Sequence, residues 1–296
     1  MSTPRFLDLP PGVAPQRIET PQGTFAALEA LPVSGVVERW PALLVPGVTG
    51  SKEDFIAVLM TLAQSGRRVV AVDLRGQFET PGPEDPDAYT CAALGADVDL
   101  LAQVIGGGDP VHLVGHSFGG LVAREAAVDG RTKFASLTLM SSGPAAIKGR
   151  RARNGRKIME EVPELGLEHV WHHRLEPEAL ANDVSDDIMV FLHKRLITNS
   201  PIGLTRMAEQ VLTMHDRTDE LRQIEVPTLV LYGEHDDGWP PQTQSEMAAR
   251  LGAECVVVPG AVHSPAVEAP ETTAAALVRF WNTAEKHYLD LRSTMM

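Results

Sequence analysis

The feature that most constrains this chain is a seven-residue stretch, Val114-Gly115-His116-Ser117-Phe118-Gly119-Gly120, set between an apolar run and a helical one. Val111, Leu113 and Val114, preceded by the turn-forming Gly106 to Pro110, read as a buried parallel strand. Leu121 to Val128 carries helix-forming Ala, Glu and Arg. Gly115 and Gly119 take side chains out of a crowded turn, so the Ser117 hydroxyl stands exposed while neighbouring N–H groups point inward. That geometry, a nucleophile elbow, is what acyl transfer requires. Five-residue patterns recur by chance, and the strand-turn-helix context is what gives this one weight.

Short β-type runs alternate with helical ones around the elbow, which predicts an α/β fold with a mostly parallel central sheet flanked by helices. Arg17 to Leu31, broken at Pro21-Gln22-Gly23, reads as a hairpin that starts the sheet. Further strands are expected at Leu43 to Val45, Val69 to Val72, Val111 to Val114, Leu137 to Met140, Thr228 to Tyr232 and Cys255 to Val258. Ser51, with Asp54 three residues on, predicts a capped helix through Phe55, Val58, Leu59 and Leu62. Other helices are expected over Tyr89 to Ile105, Gln242 to Leu251 and Glu271 to Glu285. Between Gly143 and about Leu221 the β-type runs stop, and the stretch is helical, charged and broken by Pro163, Pro177 and Pro201. It reads as an inserted helical cap, residues 144–221, over a core made of residues 1–143 and 222–296. Ligands of open α/β sheets bind at the carboxyl ends of the strands, which is where such a lid belongs.

With 296 residues, 44% of them hydrophobic, the chain can bury a sizeable core, and disorder is excluded. No apolar run approaches the roughly 20 residues of a membrane span. Met1 to Pro15 has no apolar h-region, so the expected location is cytoplasmic. A formal net charge of -13 disfavours nucleic acid and anionic membranes as partners. The two cysteines, Cys91 and Cys255, build no disulfide framework and no metal site. Against the acidic average, Lys148 to Lys157 crowds six basic residues together. A solvated basic face explains that run; the alternative is a docking patch for an acidic substrate or a carrier bearing the acyl group.

A serine hydroxyl needs a neighbouring base, and the base needs an orienting carboxylate. The strand at Thr228 to Tyr232 ends in Gly233-Glu234-His235-Asp236-Asp237-Gly238-Trp239-Pro240, which offers carboxylates at a strand's carboxyl end. The strand at Cys255 to Val258 ends in Pro259-Gly260-Ala261-Val262-His263-Ser264-Pro265, which offers an imidazole in the same way. The chain order is then Ser, Asp, His. With Asp73-Leu74-Arg75-Gly76 closing the strand before the elbow strand, these segments together resemble the serine-nucleophile members of the α/β-hydrolase fold superfamily over nearly the whole chain. The resemblance implies Ser117 as nucleophile, His263 as general base and then acid, and Asp236 as orienting carboxylate, with Asp237 the competing acid. The resemblance favours Asp236, because the family pattern places the acid three residues after the strand-ending Gly, here Gly233, with a Pro four residues later, here Pro240.

The resemblance further implies an oxyanion hole formed by the N–H groups of Phe118 and Val48. Where relatives commonly show His-Gly-x after the first parallel strand, this chain has Pro46-Gly47-Val48, which removes a side-chain tether and puts the loop's hydrogen bonding in question. The expected activity is cofactor-independent hydrolysis of a carboxylic ester, thioester or lactone, on a small-molecule acyl substrate with an apolar portion. Alternatives within the same fold are a C–C bond hydrolase, a cofactor-free peroxidase, or a receptor-like protein with slow turnover. His112 and His116 read as structural groups beside the elbow strand. His169, His172 and His173, with Trp171, form a denser cluster, but no carboxylate or Cys completes a ligand set there at helical spacing. Met140, Met159, Met189, Met207 and Met214, with Phe191 and Trp239, are candidates for an apolar acyl pocket, although core packing explains any one of them better. Asp73 and Arg75 read as loop braces.

Overall fold

Along the central strands, successive side chains point to opposite faces, and both faces are buried. Leu43, Val45, Val70 and Val72 enter one apolar cluster, while Ala42, Leu44, Val69 and Ala71 enter another. Such strands require helices on both sides. The computed structural model, which describes residues 1–294, supplies them in the order the alternation predicts.

The chain opens with an antiparallel hairpin, β1 (Val13–Thr20) and β2 (Gly23–Ala30), paired from Val13 opposite Ala30 to Thr20 opposite Gly23. Next come β3 (Arg39–Val45), a single 3₁₀ turn at Lys52–Phe55, α1 (Ile56–Ala63) and β4 (Arg67–Val72). The Ser51 and Asp54 capping box forms as expected, but it caps the 3₁₀ turn, and the α-helix begins four residues later. α2 (Cys91–Gly106), β5 (His112–His116), α3 (Phe118–Asp129) and β6 (Ser136–Met140) follow. The eight-stranded sheet has the order β1-β2-β4-β3-β5-β6-β7-β8, with β7 at Thr228–Gly233 and β8 at Glu254–Val258. From β4 to β8 every neighbouring pair is parallel, so the carboxyl ends of β3, β5, β7 and β8 open on one edge.

Between β6 and β7 the chain makes only helices: α4 (Gly149–Val170), a short π-turn at Trp171–Leu175, α5 (Glu176–Ala181), α6 (Asp186–Ile197), α7 (Pro201–Thr213) and α8 (Thr218–Arg222). The prolines act differently from one another. Pro177 and Pro201 sit in the first turns of α5 and α7, where the missing N–H costs nothing, and so they start helices. Pro163 lies inside α4, and the chain leaves helical geometry at Gly166 (φ 81°, ψ 171°), three residues later. α4, α6 and α7 bury Val162, Val170, Leu192, Leu196 and Leu204 in a third apolar cluster, separate from the two beside the sheet. α8 packs on α3 and on α9 (Pro241–Leu251). α10 (Pro265–Glu268) and α11 (Pro270–Thr294) complete the chain, and α11 lays Leu277 and Trp281 against α1 and the sheet. No helix among the described residues is long and apolar enough to cross a membrane.

Candidate active site

The elbow is built by close approach of backbone to backbone. A Cβ on Gly115 would lie 2.2 Å from the Gly119 carbonyl oxygen, and one on Gly119 would lie 2.4 Å from that of Val45. Only glycine fits either position. Ser117 itself is held at φ 55°, ψ -118°, a conformation that costs a non-glycine residue about 1–3 kcal/mol. Its N–H donates to Met140 O at 2.8 Å and its carbonyl accepts from Gly120 N at 3.0 Å, so the surroundings impose the strain.

Three sequence-expected residues meet at the open sheet edge. The Ser117 hydroxyl donates to His263 Nε2 at 2.9 Å, and His263 Nδ1–H donates to Asp236 Oδ1 at 2.8 Å. Asp236, rather than Asp237, faces the imidazole. Its carboxylate also accepts from Gly238 N at 2.8 Å and Gln244 Nε2 at 2.9 Å. Burial alone would raise the Asp236 pKa, but the bonds from His263, Gln244 and Gly238 outweigh it and hold the group below the usual carboxylate range. For His263, burial pushes the pKa below 6.5; Asp236 opposes that shift and nearby Arg151 adds to it. The imidazole is therefore neutral at pH 7, with Nε2 free to accept. Asp237 turns the other way and binds Arg150 and Arg151, with Arg151 Nε at 2.7 Å.

His116 is buried, donates Nε2–H to the His263 carbonyl at 2.7 Å, and is kept neutral because burial pushes its pKa down to about 4. It fixes the loop that carries His263. Trp239, stacked beside the His263 ring, donates Nε1–H to Ala145 O at 2.8 Å and ties the acid loop to the segment leading into α4.

Gly47 lies against the elbow, its missing Cβ position 3.3 Å from that of Ser117, and Val48 borders the same cavity. The tether lost with Pro46 comes from Gln77. Buried at the end of the Asp73-Leu74-Arg75-Gly76 segment, Gln77 donates Nε2–H to Gly47 O at 2.8 Å and to Val48 O at 2.9 Å, while Oε1 accepts from Leu74 N at 3.1 Å. A trans peptide directs its N–H opposite to its C=O, so anchoring the Gly47 carbonyl on Gln77 turns the Val48 N–H away from Gln77. Sequence reasoning missed this residue. Asp73 and Arg75 brace loops: Asp73 accepts from Lys52 N and Lys52 Nζ, each at 2.8 Å, and Arg75 pairs with Asp97.

The cavity over Ser117 has a volume of about 170 Å³. Its apolar wall is made by Ile147, Ile158, Leu175, Val211 and Leu212. None of the methionines singled out from sequence, nor Phe191 or Trp239, lines it. Met140 packs within the sheet core, Met207 and Trp239 pack in the α2–α3 cluster, and Phe191 packs under the outer helices.

One group of metal-type ligands occurs among the described residues, Asp236, Asp237 and His263, with ligand atoms within 4.8 Å of one another. Asp236 is already engaged by the His263 Nδ1–H, and the charge of Asp237 is matched by Arg150 and Arg151. In the outer helices, two carboxylates stand beside the histidine cluster. Glu176 lies 2.8 Å from His172, and Glu168 lies 3.7 Å from His172 and 2.8 Å from His193. Glu168 and Glu176 are spaced four residues either side of His172, so the i,i+4 pattern was available in the sequence.

A strand-turn-helix serine, its imidazole and its acid at the carboxyl edge of a mostly parallel sheet define an enzyme of the hydrolase class. Residues 42–276 match the alpha/beta hydrolase family, and the chain belongs to it. It is 26% identical to Lipase 1 of Psychrobacter immobilis over 251 residues, covering 81% of this chain and 76% of that protein. It is 29% identical to a non-heme haloperoxidase of Rhodococcus erythropolis over 265 residues, covering 81% of this chain and 91% of that one. Its fold matches that of a thermophilic esterase from Thermogutta terrifontis with a TM-score of 0.72 at 24% identity, over 92% of this chain and 99% of the other.

Proposed function

We propose that the protein is a cofactor-independent serine hydrolase that cleaves a carboxylic ester, thioester or lactone through an acyl-enzyme on Ser117. The observation that carries this reading is the hydrogen-bonded line from Ser117 Oγ through both ring nitrogens of His263 to Asp236. As Oγ attacks the carbonyl carbon, its proton passes to His263 Nε2, and the imidazolium is stabilised by Asp236. The developing oxyanion is received by the N–H groups of Phe118 and Val48. The tetrahedral adduct then collapses, and His263 returns the proton to the departing alkoxide or thiolate. Water, deprotonated by the same imidazole, attacks the acyl carbonyl and releases the acid and Ser117. The walls of Ile147, Ile158, Leu175, Val211 and Leu212 suit a small substrate with an apolar portion.

A fluorophosphonate probe combined with an activity profile tests this reading. Stoichiometric labelling of Ser117 is expected, together with turnover of short to medium p-nitrophenyl esters, a lactone or an acyl thioester. Absence of both labelling and turnover overturns it, and tight binding of a small ligand without labelling favours a receptor.

Gln77 enters as a positioning residue, because it holds the loop that presents the Val48 N–H. Removing an oxyanion donor costs on the order of 10²–10³ in kcat, and Gln77→Leu should approach the lower figure by letting that donor wander. The loss is expected in kcat with KM little changed, as befits an interaction made in the transition state. A purely structural glutamine would lower melting temperature without that split.

A further inference from the structure

The basic run at Lys148 to Lys157 divides by helix phase. On α4, Arg150, Arg151, Asn154 and Ile158 face the cavity over Ser117, whereas Arg153, Arg156 and Lys157 are exposed and do not line it. The two inward arginines share one counter-charge. Both bind Asp237, whose carboxylate lies within 4.8 Å of the ligand atoms of Asp236 and His263. Arg150 reaches Asp237 through Nη2 alone and Arg151 through Nε and Nη2, so N–H groups on both guanidinium groups stay available one ionic contact away from the triad. Their side chains remain reachable, Arg150 at 66% and Arg151 at 30% exposure, so neither fork is enclosed by protein. Of the other charged groups on the cavity wall, Asp54 is matched by the buried Arg195, and Glu178 faces the Met1 amino group where a second cavity adjoins.

We propose that Arg150 and Arg151 form an anion-binding subsite that selects acyl substrates bearing a carboxylate a few atoms from the scissile bond. This specificity rests on the hydrolase reading above. A planar guanidinium matches a carboxylate with two parallel N–H bonds, and Asp237 holds both forks in place as a second carboxylate arrives. From the arginine end, the α4 face runs through Asn154 to Ile158, so the subsite sits at one end of an otherwise apolar wall. The substrate that fits has a short apolar stem with an acidic tip. Half-esters of small dicarboxylic acids have that form.

The test compares ethyl butyrate with monoethyl succinate, which share a four-carbon acyl chain and differ by the acid, using base titration to follow turnover. The native protein should favour the half-ester by about tenfold or more in kcat/KM, the scale of a hydrogen-bonded charge. In Arg150→Met and Arg151→Met the preference should collapse toward one, chiefly through KM, while Arg153→Met on the outer face should leave it intact. No preference in the native protein, or equal loss on both esters in the variants, overturns the subsite and makes the arginines a latch between α4 and the acid loop. If neither ester is turned over, calorimetry on Ser117→Ala protein separates the two ideas. Binding of monoethyl succinate that is lost on adding Arg151→Met upholds the subsite although the hydrolase reading fails. Absence of binding overturns the subsite as well.

Discussion

Ser117→Ala should abolish turnover and probe labelling, with kcat down by a factor on the order of 10⁶, while the protein keeps its fold. The hydroxyl makes its hydrogen bond to His263 Nε2, so its removal strands no donor in the core. His263→Ala should cost a similar factor, and the double variant little more, because the two side chains act as one unit. Stability should separate from activity at this position. Ala keeps the left-handed backbone of Ser117 and its strain, whereas glycine occupies φ 55° freely. Relief of about 1–3 kcal/mol is offset by the larger unfolded-state entropy of glycine, about 0.5–1 kcal/mol. Ser117→Gly should therefore melt above Ser117→Ala, by up to about 5 °C, while being equally inactive. Retention of turnover within tenfold in Ser117→Ala would remove the nucleophile assignment. A glycine variant that melts below the alanine variant would show that the elbow is unstrained.

The elements that were legible in the sequence are those specified by local pattern. β-type runs of Val and Leu bounded by turn residues form β3 to β8, and the glycines around Ser117 sit where a Cβ would overlap backbone. Asp236 could be preferred to Asp237 on spacing, and the distances bring Asp236 to the imidazole. What was not legible depends on contacts distant in the chain. Gln77 acts on carbonyls 30 and 29 residues earlier, and nothing in its neighbourhood marks it except its place after Asp73 to Gly76. Whether a methionine lines a pocket or packs in a core is not legible, because an apolar side chain in a sequence does not say what it meets. For Lys148 to Lys157 the split between inward and outward arginines is a matter of helix phase. It becomes readable only once Ile147, Ile158 and the cavity fix which side of α4 faces inward. Ser51 and Asp54 were recognised as a helix cap, yet Asp54 has a second role that capping does not reveal.

That second role predicts the largest effect on stability. Arg195 on α6, fully buried, donates Nη1–H to Asp54 Oδ1 at 2.8 Å and Nη2–H to Ser2 O at 2.6 Å. Asp54, itself 2% exposed, sits in the 3₁₀ turn that follows the Gly47-Val48-Thr49-Gly50 loop and also accepts from Ser51 N at 3.4 Å. The pair thus joins the helices above the site to the loop that carries the Val48 N–H. Arg195→Met keeps the apolar stem but leaves Asp54 buried without its cation, which should cost about 3–5 kcal/mol. For a chain of this size the melting temperature should fall by roughly 10 °C. Asp54→Asn alone leaves Arg195 unmatched and should cost a comparable amount. The double variant Arg195→Met/Asp54→Asn buries no lone charge, so it should be more stable than the sum of the single losses allows, by at least about 1 kcal/mol in a double-mutant cycle. Additive losses, or an Arg195→Met cost below about 1 kcal/mol, would show that water reaches the pair and that it anchors nothing. If the coupling is found, kcat in the double variant carries the functional half of the argument. A loop that has regained its stability but lost its link to α6 should still turn over ester more slowly than the native protein, because the buried ion pair fixes the loop's position as well as stabilising the fold.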